Sequence, residues 1–266
     1  MPRRRNPAWY RSPWVIGSAV VGAGALVGAG IVSAAAGGVD CSGVGPEGGT
    51  VAGVRYLERL RGGSRSDERL PMVIVLHGLG GTPEGYAAGF GGIGKARVIL
   101  PEGAYEGGGG RKWWERGLHD IVEEGRPEDI AQWNAASDRL SEFIRQITKC
   151  RPTLGKPIVT GGSQGGEATL LVATQHRRQI SAAVSVDGDM PDLFWRRRMA
   201  PTLMINGTGD TTVPFAWAKA HAEAAISRGS PLVFWPMPSE GHAITSAMSK
   251  AWLGEIGRQV ERIWQG

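Results

Sequence analysis

The chain has 266 residues, 41% hydrophobic and 21% charged, which excludes a wholly disordered protein and suffices for one α/β domain with a sizeable core. Its 42 glycines follow no three-residue period, which excludes collagen, and its two cysteines are too few for a disulfide-dense scaffold or a four-cysteine zinc site. The net charge of +5 comes mostly from four arginines in residues 1–36, since the remainder carries 26 basic against 25 acidic residues. A nucleic-acid partner is therefore not expected.

Residues 1–36 predict an export segment. A basic start is followed by 23 uncharged residues, 14–36, which end in three alanines that a signal peptidase accepts. This stretch is long enough to cross a membrane as a helix, although five glycines and seven alanines make it weakly hydrophobic. A cleaved signal peptide, an uncleaved inner-membrane anchor and a buried helix of the globular domain all stay open. The first two predict a periplasmic or extracellular domain. In that oxidising compartment Cys41 and Cys150 either pair or are unrelated thiols.

After a Gly-rich linker at 37–49, residues 50–266 alternate between predicted strands and helices. An edge strand is predicted at 51–57, and buried strands are predicted at 72–77, 97–100, 157–160, 182–187, 202–206 and 232–237. Apolar residues at three- and four-residue spacing predict a helix over 128–149, begun by Pro127. Further helices are predicted at 168–175, 215–227 and 245–264. This alternation predicts an α/β fold with a mainly parallel sheet covered by helices on both faces.

The strongest motif is Gly-x-Ser-x-Gly over residues 161–165, centred on Ser163. It follows the predicted strand 157–160 and precedes the helix 168–175, the strand–turn–helix context of a nucleophile elbow. In that context the serine hydroxyl stands above the sheet, and the helix N-terminus behind it favours developing negative charge. In so Gly-rich a chain the motif alone could arise by chance, and its placement favours a nucleophile.

His242 is the histidine best placed to serve as the base for this serine. It follows the predicted strand 232–237, and loops after parallel strands lie at the same sheet edge as the elbow. One histidine suffices as base. The other four are interpreted as structural or solvated: His77, His119, His176 and His221.

Two aspartates, Asp187 and Asp210, are candidates for the acid that orients the histidine. Both follow predicted strands. Asp210 is preferred because it lies in a Gly-flanked loop before a Pro at a helix start, whereas Asp187 suits a turn or cap. The resulting order of serine, aspartate and histidine along the chain is the one found in α/β-hydrolases.

An oxyanion hole requires backbone N–H groups aimed at the developing charge. Gln164 follows the nucleophile and offers one, and Leu79, in the Gly-rich loop 77–82, is the candidate for the second. An ordinary Gly-rich turn is the alternative for this loop. It lacks the Lys-Ser/Thr of a phosphate loop, so nucleotide binding is not expected.

These motifs resemble the phospholipase/carboxylesterase family of α/β-hydrolases, which includes bacterial carboxylesterases and acyl-protein thioesterases. The matching blocks are 76–80, 111–114, 162–166, 207–214 and 241–242. The resemblance implies an α/β-hydrolase fold, a triad of Ser163, Asp210 and His242, and Leu79 and Gln164 as oxyanion donors. The export segment, Gly162 in place of a larger residue and the Gly-rich stretch 103–110 depart from the family pattern.

The hypothesis is a serine carboxylic-ester hydrolase that acts through an acyl-enzyme on small to medium esters and needs no cofactor or metal. Trp113 and Trp114 either line the substrate pocket or pack beneath a loop. One rival is a secreted polyester depolymerase or feruloyl-type esterase. Another is a catalytically silent hydrolase fold used for binding.

Overall fold

A nine-stranded sheet forms the centre of the computed structural model, which describes residues 39–115 and 127–266. The predicted export segment 1–36 and His119 lie outside these residues. The strands follow the spatial order β1-β2-β3-β5-β4-β8-β9-β10-β11. Their bounds are β1 Val44–Gly45, β2 Gly48–Val51, β3 Val54–Arg61, β4 Met72–Leu76, β5 Ala96–Pro101, β8 Ile158–Gly162, β9 Ala182–Val186, β10 Thr202–Gly207 and β11 Leu232–Met237. In this spatial order, neighbouring strands are parallel along β5, β4, β8, β9, β10 and β11. The strands β1, β2 and β3 extend the sheet beyond β5 with antiparallel pairing.

Helices cover both faces of the sheet, which confirms the predicted fold class. The helices are α1 Pro83–Ala87, α2 Pro127–Cys150, α3 Gln164–Gln175, α4 Asp192–Trp195, α5 Phe215–Ser227 and α6 Ser246–Gln265. Side chains of α2 to α5 share one apolar core with one face of the sheet, and those of α1 and α6 share a second core with the other face. Within the described residues, no helix combines the length and apolarity needed to span a bilayer.

The central strands are apolar on both faces because both faces are covered. In β4, Met72, Ile74 and Leu76 point into one core while Val73 and Val75 point into the other. All five side chains are buried, so this strand is a continuous apolar run rather than an alternating one.

Helix α2 begins at Pro127 and buries the apolar face that its sequence predicts. Trp133, Leu140 and Phe143 contribute to that buried face. The helix ends at Cys150, which forms a disulfide with Cys41. The disulfide confirms the pairing alternative and ties the segment before β1 to the end of α2.

The chain between 44 and 61 differs from the prediction. The expected edge strand at 51–57 is instead a hairpin of β2 and β3 that turns at Ala52 and Gly53, both with positive φ (51° and 70°). Alanine is an unusual residue for such a turn, so the sequence carried no turn signal there. Strand β3 is not an edge strand, because it pairs with both β2 and β5. Part of the segment expected to be a linker, 37–49, forms β1 and the start of β2; its glycines have low strand propensity, which concealed the pairing.

Candidate active site

Ser163 occupies a strained turn between β8 and α3, with φ of 54° and ψ of −127°. A positive φ is unfavourable for a residue with a Cβ. Two hydrogen bonds hold it, from Ser163 N–H to Val186 O (2.9 Å) and from Glu167 N–H to Ser163 O (3.0 Å). A Cβ at Gly165 would overlap Leu76 O, so only glycine lets α3 approach β4 this closely. The motif thus forms the sharp strand–turn–helix that its sequence predicts.

Ser163, His242 and Asp210 form one chain of hydrogen bonds. Ser163 Oγ lies 2.8 Å from His242 Nε2, and His242 Nδ1 lies 2.8 Å from Asp210 Oδ2. The other oxygen of Asp210 accepts the N–H groups of Thr212 and Val213, each at 2.9 Å, so the carboxylate is oriented with Oδ2 towards the imidazole. The three side chains follow the carboxyl ends of β8, β10 and β11, which explains why residues so distant in sequence meet.

The surroundings of His242 make it a stronger base than a free histidine. Burial by itself lowers the pKa of His242, but the hydrogen bond and charge of Asp210, with the charge of Asp187, outweigh it and raise the pKa above 6.5. A neutral imidazole that accepts at Nε2 and donates from Nδ1 can take the proton of Ser163 Oγ.

Asp187, the second acid candidate, is buried beside this chain without being part of it. Its Oδ1 accepts the N–H of Gly207 at 2.9 Å, and no hydrogen bond joins it to His242 among the described residues. One oxygen of Asp187, one of Asp210 and a ring nitrogen of His242 lie within 4.8 Å of one another, a spacing at which three such ligands could hold a metal ion. Because His242 Nδ1 already bonds Asp210, a hydrogen-bonded acid–base group explains these residues without an ion.

Two backbone N–H groups beside Ser163 have no hydrogen-bond partner in the described part of the chain: Leu79 N–H and Gln164 N–H. Gly78, which precedes Leu79, lies directly against the nucleophile, since a Cβ placed on it would be 3.5 Å from Ser163 Cβ. The predicted oxyanion donors therefore come from the two segments that flank Ser163.

A β-hairpin supports the loop that carries Leu79. It consists of β6 (Tyr105–Gly107) and β7 (Gly110–Lys112) and belongs to the Gly-rich stretch 103–110. Gly80 N–H donates to Arg111 O at 2.9 Å, and Arg111 N–H donates to Gly81 O at 3.0 Å. Gly80 has a φ of 74°, and a Cβ on it would overlap Gly108 O. Glycine is therefore required where the backbones of the hairpin and the loop are in direct contact.

A family model described as phospholipase/carboxylesterase matches residues 63–252, more than half of the chain. The chain belongs to the phospholipase/carboxylesterase family. It is therefore an α/β-hydrolase of the carboxylesterase type, as the resemblance of its motifs implied.

Three solved structures illustrate the shared fold. Esterase PE8 has a TM-score of 0.60 at 18% identity, with 76% of this chain and 99% of that chain covered. The carboxylesterase of Bacillus cereus has a TM-score of 0.59 at 18% identity, with 80% and 94% covered. Thermogutta terrifontis esterase 2, phosphonylated by cyclosarin, has a TM-score of 0.55 at 16% identity, with 79% and 89% covered. At these identities the likeness shows the fold alone. A comparison with curated proteins finds no match.

Two residues brace the loop of this carboxylesterase-type hydrolase: Tyr86, which the sequence did not single out, and Trp113, which the sequence named only as a pocket or packing candidate. Tyr86 OH accepts the N–H of Gly78 at 3.0 Å. Trp113 donates its indole N–H to His77 O at 2.8 Å, and its backbone N–H donates to the side-chain oxygen of Gln164 at 2.9 Å. A Tyr eight residues downstream of Gly78 carries no motif that predicts its contact. The block that contains Trp113 was recognised, but nothing in it predicts the hydrogen bonds to His77 and Gln164.

Trp113 and Trp114, named as candidate pocket residues, are 4% and 0% exposed. Trp113 stacks on His77, and Trp114 packs on Trp133 of α2, with ring centroids 5.4 Å apart. These contacts favour the alternative of packing beneath a loop. A pocket role for either indole stays a prediction.

Among the described residues, exposed apolar side chains occur on two segments that contact the elbow: Leu79 is 54% exposed and Ile244 is 44% exposed. Ile244 lies against Gly162, since a Cβ on that glycine would be 3.4 Å from Ile244 Cδ1. A Cβ at position 162 would make only an ordinary van der Waals contact with Ile244, so this spacing does not explain the departure from the family pattern. Ile244 thus presents exposed apolar surface beside the elbow, and Leu79 presents it on the adjoining loop, next to Gly108 of the hairpin.

Proposed function

We propose that this protein is a serine carboxylic-ester hydrolase that works by two-step acyl transfer. The observation that carries the proposal is the chain from Ser163 Oγ through His242 to Asp210, with 2.8 Å at each of its two links. A hydroxyl, an imidazole and a carboxylate at these distances have the geometry needed to activate an alcohol as a nucleophile.

In the first step, Ser163 Oγ attacks the ester carbonyl while His242 Nε2 takes the hydroxyl proton. Asp210 holds the imidazole with Nδ1–H towards its Oδ2 and stabilises the imidazolium. His242 then gives the proton to the departing alcohol, which leaves Ser163 acylated. Water repeats the sequence on the acyl-enzyme, and the acid leaves.

The N–H groups of Leu79 and Gln164 stabilise the negative oxygen that forms at each attack. Donors already in place contribute more than water could, because they need no reorganisation during the reaction. The hydrogen bonds made by Tyr86 and Trp113 hold the loop of Leu79 and the start of α3 in fixed positions relative to each other.

The substrate class we propose is small to medium acyl esters outside the cytoplasm. The disulfide between Cys41 and Cys150 supports an oxidising compartment, which agrees with the export segment predicted at 1–36. Retention of residues 14–36 as a membrane anchor stays an open alternative to cleavage.

A second candidate is an esterase for bulky or polymeric esters, such as a polyester or a feruloylated polymer. The exposed apolar surface of Leu79 and Ile244 favours it, since these side chains can contact a substrate too large to be enclosed.

The test uses the full chain and p-nitrophenyl esters from acetate to palmitate. We expect hydrolysis with a chain-length optimum, and a loss of about 10⁶-fold in kcat for Ser163→Ala. Ser246→Ala, the same substitution at an exposed serine of α6, is the matched control and should keep full activity. Equal inactivity of folded wild type and Ser163→Ala on every ester, including an insoluble polyester, would reject ester hydrolysis and favour a binding role.

A further inference from the structure

Asp187 has an environment that a capping residue does not require. It follows β9 with a φ of 46°, a strained conformation for a residue with a Cβ. It is 1% exposed, and while its Oδ1 accepts the N–H of Gly207, its Oδ2 has no hydrogen-bond partner among the described residues. A buried, half-satisfied carboxyl group is costly, so its retention calls for a reason.

The backbone around Asp187 is tied to the nucleophile and to the strand that precedes Asp210. Asp187 N–H donates to Ile205 O at 2.9 Å, and the preceding carbonyl, Val186 O, accepts the N–H of Ser163 at 2.9 Å. The carboxyl group is therefore held in a defined place, with one oxygen within 4.8 Å of both His242 and Asp210.

Among the described residues, the titratable groups that act electrostatically on Asp187 are Asp210, His242 and Glu240. Burial raises the pKa of Asp187 to about 7, with Asp210 and Glu240 adding to the rise and Gly207 N–H and His242 opposing it. Two carboxylates this close cannot both ionise freely, so a negative charge on Asp210 disfavours a negative charge on Asp187. Neutralising Asp210 should release that charge near neutral pH.

We propose that Asp187 is a positioning residue of the acid–base site. It is a second negative partner for His242, and the charge of Asp210 keeps it largely uncharged. Among the described residues, no hydrogen bond joins its carboxyl group to Ser163 or His242. When ionised it stabilises the imidazolium, and when Asp210 loses its charge it takes over as the negative partner of the ring. This proposal rests on the proposed function for its kinetic tests, but its effect on His242 exists without any substrate.

Asp187→Asn separates this role from a capping role. Asparagine keeps an oxygen for Gly207 N–H and nearly the same shape, but it cannot carry the charge. Glu240→Gln is the matched control, because it removes another carboxylate that faces Asp187 from the histidine loop without touching the cap. If Asp187 only accepts the N–H of Gly207, the His242 ring in Asp187→Asn should titrate as it does in wild type.

The first experiment is an NMR titration of the His242 ring in full-length wild type, Asp187→Asn and Glu240→Gln. We expect the His242 pKa to fall in Asp187→Asn and to stay close to wild type in Glu240→Gln. In wild type, the carboxyl carbon of Asp187 should titrate together with the His242 ring, a coupling that can be measured even if the variant does not fold. Independent single titrations of the two groups would overturn the proposal, whether or not the protein cleaves esters.

The second experiment is a double-mutant cycle on kcat/KM with Asp210→Asn. Replacing the acid of an isolated triad costs about 10⁴-fold. We expect a smaller loss here, followed by an additional loss of about 10–100-fold beyond multiplicative effects when Asp187→Asn is added. In Asp187→Asn alone, the acid limb of the pH profile should move to lower pH. The proposal would be overturned if Asp187→Asn lowered kcat/KM by the same factor in wild type and in Asp210→Asn and left the acid limb unmoved. Asp187 would then only accept the N–H of Gly207.

Discussion

The indole ring of Trp113 stacks on the imidazole of His77, with centroids 4.9 Å apart and planes inclined by 26°. The indole N–H donates to His77 O, the carbonyl at the start of the loop that carries Leu79. His77 itself accepts the N–H of Gly103 at Nε2, so its proton is on Nδ1, which points to Gly78 O at 2.8 Å. Burial lowers the pKa of His77, which keeps the ring neutral and this arrangement intact.

Trp113→Phe should weaken the oxyanion site without removing the stacked ring. His77 O loses its buried donor, which costs about 1–3 kcal/mol of the free energy of unfolding. Because Leu79 N–H acts only on the developing oxyanion, we expect kcat to fall about 10-fold with KM nearly unchanged. Steady-state kinetics with a short-chain ester measures both constants. Trp264→Phe, at an indole 44% exposed, is the control, and an equal effect in both variants would contradict the account.

Ester hydrolysis should fall as the pH decreases, because His242 must be neutral to accept the proton of Ser163. The pKa of His242 is raised above 6.5, so the midpoint of the acid limb of kcat/KM should lie above that value. Asp187 titrates near 7 beside it, so this limb belongs to the coupled pair. A kcat/KM profile from pH 5 to 9 with a non-ionising ester measures it. A midpoint below 6.5 would show that Asp210 does not support the ring as described.

A second cluster, of a partly buried histidine and two aspartates, should make stability depend on pH. His221 Nδ1 lies 2.9 Å from Asp189 Oδ2 and its Nε2 lies 2.5 Å from Asp192 Oδ1. These contacts join α5 to the segment before α4 and to the first residue of α4. Burial by itself lowers the pKa of His221, but the two aspartates raise it above 6.5. A raised pKa contributes stability below the unfolded value of about 6.5, and that contribution is lost as pH rises through the folded pKa.

Urea unfolding of wild type and His221→Gln between pH 5.5 and 8.5 tests this effect. The difference in unfolding free energy should be largest at low pH and shrink as the pH rises. His176→Gln is an informative control, since burial lowers the pKa of His176 and the slope should have the opposite sign. Parallel pH dependences for the two variants would be incompatible with the His221 cluster.

The disulfide closes a loop of 109 residues in sequence separation. Cys41→Ser should therefore lower the free energy of unfolding by about 3–5 kcal/mol, through the greater entropy of the unfolded chain. Chemical denaturation measures the loss. Cys150→Ser should cost the same, and the double variant should cost no more than either, because each removes one shared bond. Additive losses would mean that the two thiols act separately.

Sequence reasoning succeeded where one local pattern determines the structure. The central strands are continuous apolar runs between Gly and Pro signals, and α5 and β11 fall at the predicted bounds. The prediction that 232–237 is a buried strand was wrong, because β11 lies at the edge of the sheet and only one of its side chains is buried. The candidate site was predictable because Ser163, Asp210 and His242 each follow a strand of one parallel sheet, and such loops meet at a common edge.

What the sequence could not predict depends on contacts between distant segments. The hairpin of β2 and β3 turns at an Ala-Gly pair, which has no characteristic turn signature. The brace from Trp113 to His77 and Gln164 is a tertiary contact made by aromatic residues that suit a pocket equally well by composition. In the sequence Asp187 suits a turn, and only the fold shows that Asp210 and His242 lie beside it.

The most direct test of the central claim is to map where a fluorophosphonate probe attaches to the full-length protein. The account predicts one adduct, on the peptide that contains Ser163, found by mass spectrometry in wild type and absent from Ser163→Ala. Labelling should also slow strongly in His242→Ala, since the serine then lacks its base. A folded wild-type protein that takes no probe, or a Ser163→Ala variant labelled as fast as wild type, would contradict the account.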